Sequence, residues 1–163
     1  MVSKRLSRED GHRRKFLAVV DETPECGRAV AYASRRAKNT GGVLVLLFVI
    51  DASHFPNFLG VGDVMLAEAM ERAQAALSHI AANVREEQGI EAERIVREGV
   101  PSDEITKLIE EDQDIAVLIL AASAAADGPG PLVQSVAGRN AAFPIPVTIV
   151  PASLSNEDID AVT

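Results

Sequence analysis

Three apolar runs without a polar interruption, residues 16–20 (FLAVV), 43–50 (VLVLLFVI) and 115–120 (IAVLIL), constrain this chain more than any other feature. A strand wet on one face alternates apolar with polar residues. An unbroken run belongs to a strand covered on both faces, as in parallel sheets flanked by helices. The intervening segments repeat apolar residues at helical spacing, with Ala29, Val30, Ala33 and Ala37 in the first and Leu66, Met70, Ala73, Leu77 and Ile80 in the second. A less apolar stretch at 91–100 reads as an edge strand, residues 103–111 and 131–142 as helices, and 147–150 (VTIV) as a closing strand. Alternating strands and helices with right-handed crossovers give one open five-stranded parallel sheet with helices on both faces, a Rossmann-like α/β fold. The strand order 3-2-1-4-5 puts the topological switch point between the first and fourth strands, and ligands bind there, outside the carboxyl ends. Residues 20–23 would then face residues 120–123.

Local signals place the element boundaries. Thr23 is the expected N-cap of the first helix, with Pro24 at its first position and Gly41-Gly42 as its stop. Asp63 and Ser102 are the expected caps of the second and third helices. Residues 1–15, six of them Lys or Arg, lack periodicity and read as a mobile polar basic tail that either ends in solvent or touches an acidic partner. The folded domain is expected to span 16–151, and residues 152–163 read as an acidic tail.

Composition excludes several function classes. A chain of 163 residues with 47% hydrophobic content supplies one domain with a core of its own, built from Ala, Val, Leu and Ile because only Tyr32 and five phenylalanines are aromatic. A formal net charge of −8 argues against a nucleic-acid or anionic-membrane partner. The single cysteine, Cys26, permits no internal disulfide and fits a reducing compartment. No apolar run approaches the length of a membrane span and no signal-type region follows the N-terminal charges, so the chain is expected to be soluble and cytoplasmic.

Catalytic and metal constellations are likewise not expected. His12, His54 and His79 share no metal-ligand spacing with Cys26 or a carboxylate, and no serine stands in a Gly-x-Ser-x-Gly elbow. Asp21-Glu22 mimics the acidic pair of a response-regulator receiver, but Gly99-Val100 and Pro151 stand where its phosphorylatable Asp and its Lys are needed. The Ser-Gly-Gly-x-Asp-Ser of adenylating enzymes and the phosphate loop of flavodoxins are missing after the first strand. Cys26 falls in the first turn of a helix, where the dipole lowers a thiol pKa; it either senses redox state or packs as a small residue.

The stretches FLAVVDETPECGRAVAYA (16–33), LVLLFVID (44–51) and VREGVPSDEITKLIEEDQDIAVLILAAS (96–123) resemble the universal stress protein family. In that family the first strand ends in Val-Asp-Gly-Ser before an Ala-rich helix, the second commonly reads Leu-His-Val, and a Gly-x-Pro precedes the third helix. The resemblance covers residues 16–151 and implies the adenine nucleotide alpha hydrolase-like form of the fold and a homodimer. Its nucleotide-binding branch carries Gly-x2-Gly-x9-Gly-Ser/Thr after the fourth strand. Carried over to this chain, Ala121, Ala124 and Gln134 stand at the three glycines and Ser135 at the Ser/Thr. Asp21 falls on the position that contacts the adenine and ribose end, and Val49 on the one whose backbone meets the adenine. Each also has a plainer role: Asp21 as a strand end beside a helix start, Val49 as a buried strand residue, Ser135 near a helix start.

The replacements weigh against the family's usual phosphate grip. Alanine in the left-handed region costs about 1–2 kcal/mol where glycine costs nothing. Gln134 adds a side chain where bare backbone is needed, Pro129 and Pro131 remove amide donors, and Asp127 adds a repelling charge. No Lys or Arg lies between Ala121 and Gly138. Two functions remain open. One is a non-enzymatic stress-response protein that acts through homodimerisation and an unidentified protein partner, without tight ATP binding or any other cofactor. The other is an adenine-nucleotide regulator that takes ATP, AMP or adenosine at the altered loop. The dimer contact is expected at Val147, Thr148, Ile149 and Val150, an apolar sheet edge that invites pairing.

Overall fold

The computed structural model describes residues 3–56, 58–138 and 143–163. Five strands, β1 (Lys15–Val20), β2 (Val43–Ile50), β3 (Ala92–Glu98), β4 (Ile115–Ala122) and β5 (Val147–Pro151), form one sheet in the order β3-β2-β1-β4-β5. All four pairings are parallel. The unbroken apolar runs do what their composition demands, since β1, β2 and β4 are buried between two layers. Alternate residues point to opposite faces. Phe16, Ala18, Val20, Leu44, Leu46 and Phe48 join one core with α1 (Cys26–Thr40) and α2 (Val61–Gln88). Leu17, Val19, Val45 and Leu47 join the other with α3 (Pro101–Glu111) and α4 (Pro131–Ala137). Each such fully buried Leu or Phe contributes about 1.5–3 kcal/mol over an exposed one.

Helix starts differ from the cap readings. α1 begins at Cys26 with Glu25 at the N-cap position and no side-chain cap; the Thr23 hydroxyl and amide both donate to the Asp21 carboxylate instead. α2 begins at Val61, after Gly60 in the left-handed region, so Asp63 lies inside the first turn. Ser102 is also inside its helix, because Pro101 takes the first position of α3 behind an extended Val100. Gly99 at φ 150° is required by a close approach, for a Cβ there would stand 2.7 Å from the Glu104 carboxylate. The last helix is seen over Pro131–Ala137; residues 139–142 of the expected 131–142 helix lie outside the described residues.

Neither terminal segment is a solvated tail. Arg5 lays its Nη1 against three carbonyls, Ile109 O at 2.7 Å, Asp112 O at 3.3 Å and Ile115 O at 3.2 Å, and so satisfies the carboxyl end of α3. The Leu6 amide donates to Gln113 O at 2.9 Å, and His12 pairs with Asp114 at 2.7 Å. Residues 3–14 are therefore strapped along the lower end of the sheet. At the other terminus Asn156–Val162 form α5. A capping box starts it, Ser155 and Asp158 exchanging side-chain and backbone bonds. Ile159 is fully buried in the α1-side core together with Ile119 and Val150. Arg28 donates to Leu154 O at 3.0 Å, and Arg35 pairs with Asp160. The segment read as an acidic tail thus covers the corner of the sheet that α1 and α2 leave bare.

Candidate functional site

The carboxyl ends of β1 and β4 separate at the switch point, where the strand order reverses. A small hollow opens there, lined by Asp21, Thr23, Cys26, Ala121, Pro129 and Gly130 among others. It continues outward along Glu25, Ser123, Asp127, Gly128 and Gln134. On the other side of β1 lies a roomier hollow of about 440 Å³. Val19, Val49, Val100 and Leu132 supply its apolar wall, and Asp21, Asp51, His54, Ser102 and Ser135 its polar rim. Five of the six expected site residues, Asp21, Val49, Ala121, Gln134 and Ser135, therefore meet at one corner. Ala124 sits exposed in the loop between β4 and α4 and lines none of the three hollows.

That loop is folded back upon itself. The Ser123 amide donates to Pro129 O at 2.9 Å, the Ala125 amide to Ser123 Oγ at 3.1 Å, and the Gly128 amide to Ala125 O at 3.3 Å. Amides spent on the loop's own acceptors are not available to a phosphate. The glycine-requiring positions also differ from the family register. Ala121 is an ordinary strand residue paired with Val150, and needs no left-handed backbone. Positive φ falls instead on Gly128 (116°) and Gly130 (104°). The Gln134 side chain reaches over Gly128, its Nε2 lying 2.9 Å from where a Cβ would stand.

Charge at the corner has one sign. Asp21, Glu25, Asp51 and Asp127 line the three hollows, and among the described residues no Lys or Arg does. Hydrogen bonds from the Ser53 hydroxyl and amide hold the Asp51 carboxyl below the usual carboxylate range. The Cys26 thiol donates to Asp21 O at 3.4 Å. Burial first, and then the neighbouring Asp21 and Glu25 carboxylates, push its pKa up. The activating effect expected of a helix start is overridden, and Cys26 is a packed thiol. Among the described residues no group of His, Cys, Asp and Glu could hold a metal ion.

Asp51, His54, Ser102, Gly128 and Gly130 were not among the sequence candidates. Two carried a local signal: Asp51-x-Ser53 is an Asx-turn pattern, and Gly130 before Pro131 marks a helix entry. His54 and Ser102 reach the hollow only through the topology.

Among the described residues no helix is long and apolar enough to cross a membrane. The sequence matches the model of the universal stress protein family over residues 12–151. No curated protein matches it significantly. Among solved structures the chain is similar to the universal stress protein UspA from Lactobacillus plantarum, at 20% identity and TM-score 0.73, covering 84% of this chain and 97% of that one. The universal stress protein from Archaeoglobus fulgidus in complex with dAMP is 16% identical with TM-score 0.58, covering 92% and 99%. A family protein from Arabidopsis thaliana with AMP bound is 17% identical with TM-score 0.58, covering 85% and 91%.

Proposed function

Since the chain belongs to the universal stress protein family, we propose that it acts as a stress-response protein through homodimerisation and contact with another protein, without tight ATP binding and without catalysis. The observation that carries this reading is the closed loop: Ser123 donates to Pro129, Gln134 covers Gly128, and the surrounding charges are carboxylates. A triphosphate at this place would meet repulsion and few free amides. The dimer is proposed at β5, whose Val147, Thr148 and Ile149 form a sheet edge with Ile149 43% exposed. Titration calorimetry with Mg-ATP tests the reading, and a micromolar dissociation constant contradicts it.

A second reading is favoured by the roomier hollow alone. Its apolar wall of Val19, Val49, Val100 and Leu132 beside the Asp21 carboxylate suits the base and ribose of an adenosine or AMP, which need few phosphate contacts. The relatives carrying AMP and dAMP support the same class of ligand. Calorimetry separates the two readings: adenosine binding tighter than ATP favours the second.

A further inference from the structure

We propose that Arg8, Arg14 and Arg36 form a binding site for a small phosphate-bearing anion at the lower end of the sheet, opposite the corner just described. The guanidinium carbons of Arg14 and Arg36 stand 5.5 Å and 6.0 Å from the centroid of the Phe16 ring. Phe16 is a buried β1 residue, so it fixes both side chains at one place on the surface. Arg36 comes from α1, Arg14 from the residue before β1, and Arg8 from the strap that Arg5 and Leu6 hold in position. Burial first, and then the like charges of Arg8 and Arg36, lower the pKa of Arg14, which places the three cations within each other's field.

Their charge is not cancelled locally. Among the described residues none of the three forms an ion pair with Asp or Glu. Arg36 makes one long bond, to Thr163 O at 3.4 Å, and most of its donors remain. The carbonyls after α1, which would repel an anion, are covered because Arg13 Nη2 donates to Gly41 O and Gly42 O, each at 3.1 Å. Converging guanidiniums offer planar, paired donors that match the oxygens of a phosphate. A small anion feels mainly charges within a Debye length of about 8 Å. The net charge of −8, which repels a long nucleic acid, weighs less on it.

The test follows the arginine Nε–H and backbone amide signals by NMR during titration with inorganic pyrophosphate, ADP and adenosine. Pyrophosphate and ADP are expected to shift the Arg14 and Arg36 signals saturably in the millimolar range, with adenosine leaving them in place. Comparable affinity for pyrophosphate and ADP marks a free phosphate chain as the ligand; clearly tighter ADP marks a nucleotide's phosphates. Added NaCl should weaken either. The exposed R8Q variant should weaken pyrophosphate severalfold and R8Q/R14Q about tenfold, the scale of one charge-assisted hydrogen bond. No saturable shift in the parent, or unchanged affinity in R8Q/R14Q, overturns the proposal. The corner variant D21N should leave pyrophosphate affinity unaltered; a change there moves the anion to the corner and contradicts this site.

Discussion

The Ser123 amide and the Pro129 carbonyl oxygen, 2.9 Å apart, close the loop after β4 before α4 begins. The closure links sequence to function at the place where the family resemblance is weakest. Restoring the family glycines should therefore not restore the grip. The triple variant A121G/A124G/Q134G is expected to fold and to gain no ATP affinity, because Pro129, Pro131 and the carboxylates remain. Calorimetry checks it, and a gain of tenfold or more would show that side-chain crowding, not the closed loop, is the block.

Assembly through β5 has its own readout. The parent is expected to sediment as a dimer at micromolar concentration. I149K, at a position 43% exposed on the edge strand, should sediment as a monomer because it sets like charges across the two-fold axis. An unchanged dimer in I149K would place the interface elsewhere.

α5 should be part of the cooperative fold. Ile159 is fully buried, so I159A is expected to cost about 2–5 kcal/mol in urea unfolding, the range for a large core residue cut to Ala. A loss within about 0.5 kcal/mol, the usual figure for a surface change, would return residues 152–163 to the status of a tail.

Lys15 joins Asp112 at 2.8 Å and Glu93 at 3.1 Å. Burial alone would lower its pKa, but the bonds to the two carboxylates outweigh it and hold the folded-state value above the ordinary 10.5. Protonation is thus favoured in the folded state, so its contribution is fully present below pH 10.5 and is lost as pH rises through the folded value. The stability difference between parent and K15M, from urea unfolding, should stay constant from neutral pH to about 10 and shrink above it. A difference that grows with alkalinity would contradict the assignment.

The sheet was legible because its evidence lies in single unbroken runs: once residues 16–20, 43–50 and 115–120 are covered on both faces, few topologies remain. The termini were not legible for a physical reason. Arg5 docks by side-chain bonds to carbonyls, which leave no periodic trace, and α5 buries one large residue, Ile159, in two turns. A signal was nevertheless present. Ser155-x-x-Asp158 follows capping-box spacing, and Leu154 with Ile159 that of a hydrophobic staple. At the candidate site the topology located Asp21, Val49 and Ser135, whereas the conformation of the loop depends on Gly128 and Gly130 and on which acceptor each amide finds. Counting glycines against a family pattern does not report that.

The absence of a tight ATP grip at the corner is tested most directly by amide NMR of the parent during a Mg-ATP titration. The backbone signals of residues 121–135 are predicted to stay in place up to millimolar Mg-ATP, whatever occurs at the arginines. Saturable shifts of Ser123, Gly128 and Gly130 with a micromolar midpoint would show that the loop opens to receive the phosphates, and would contradict the account.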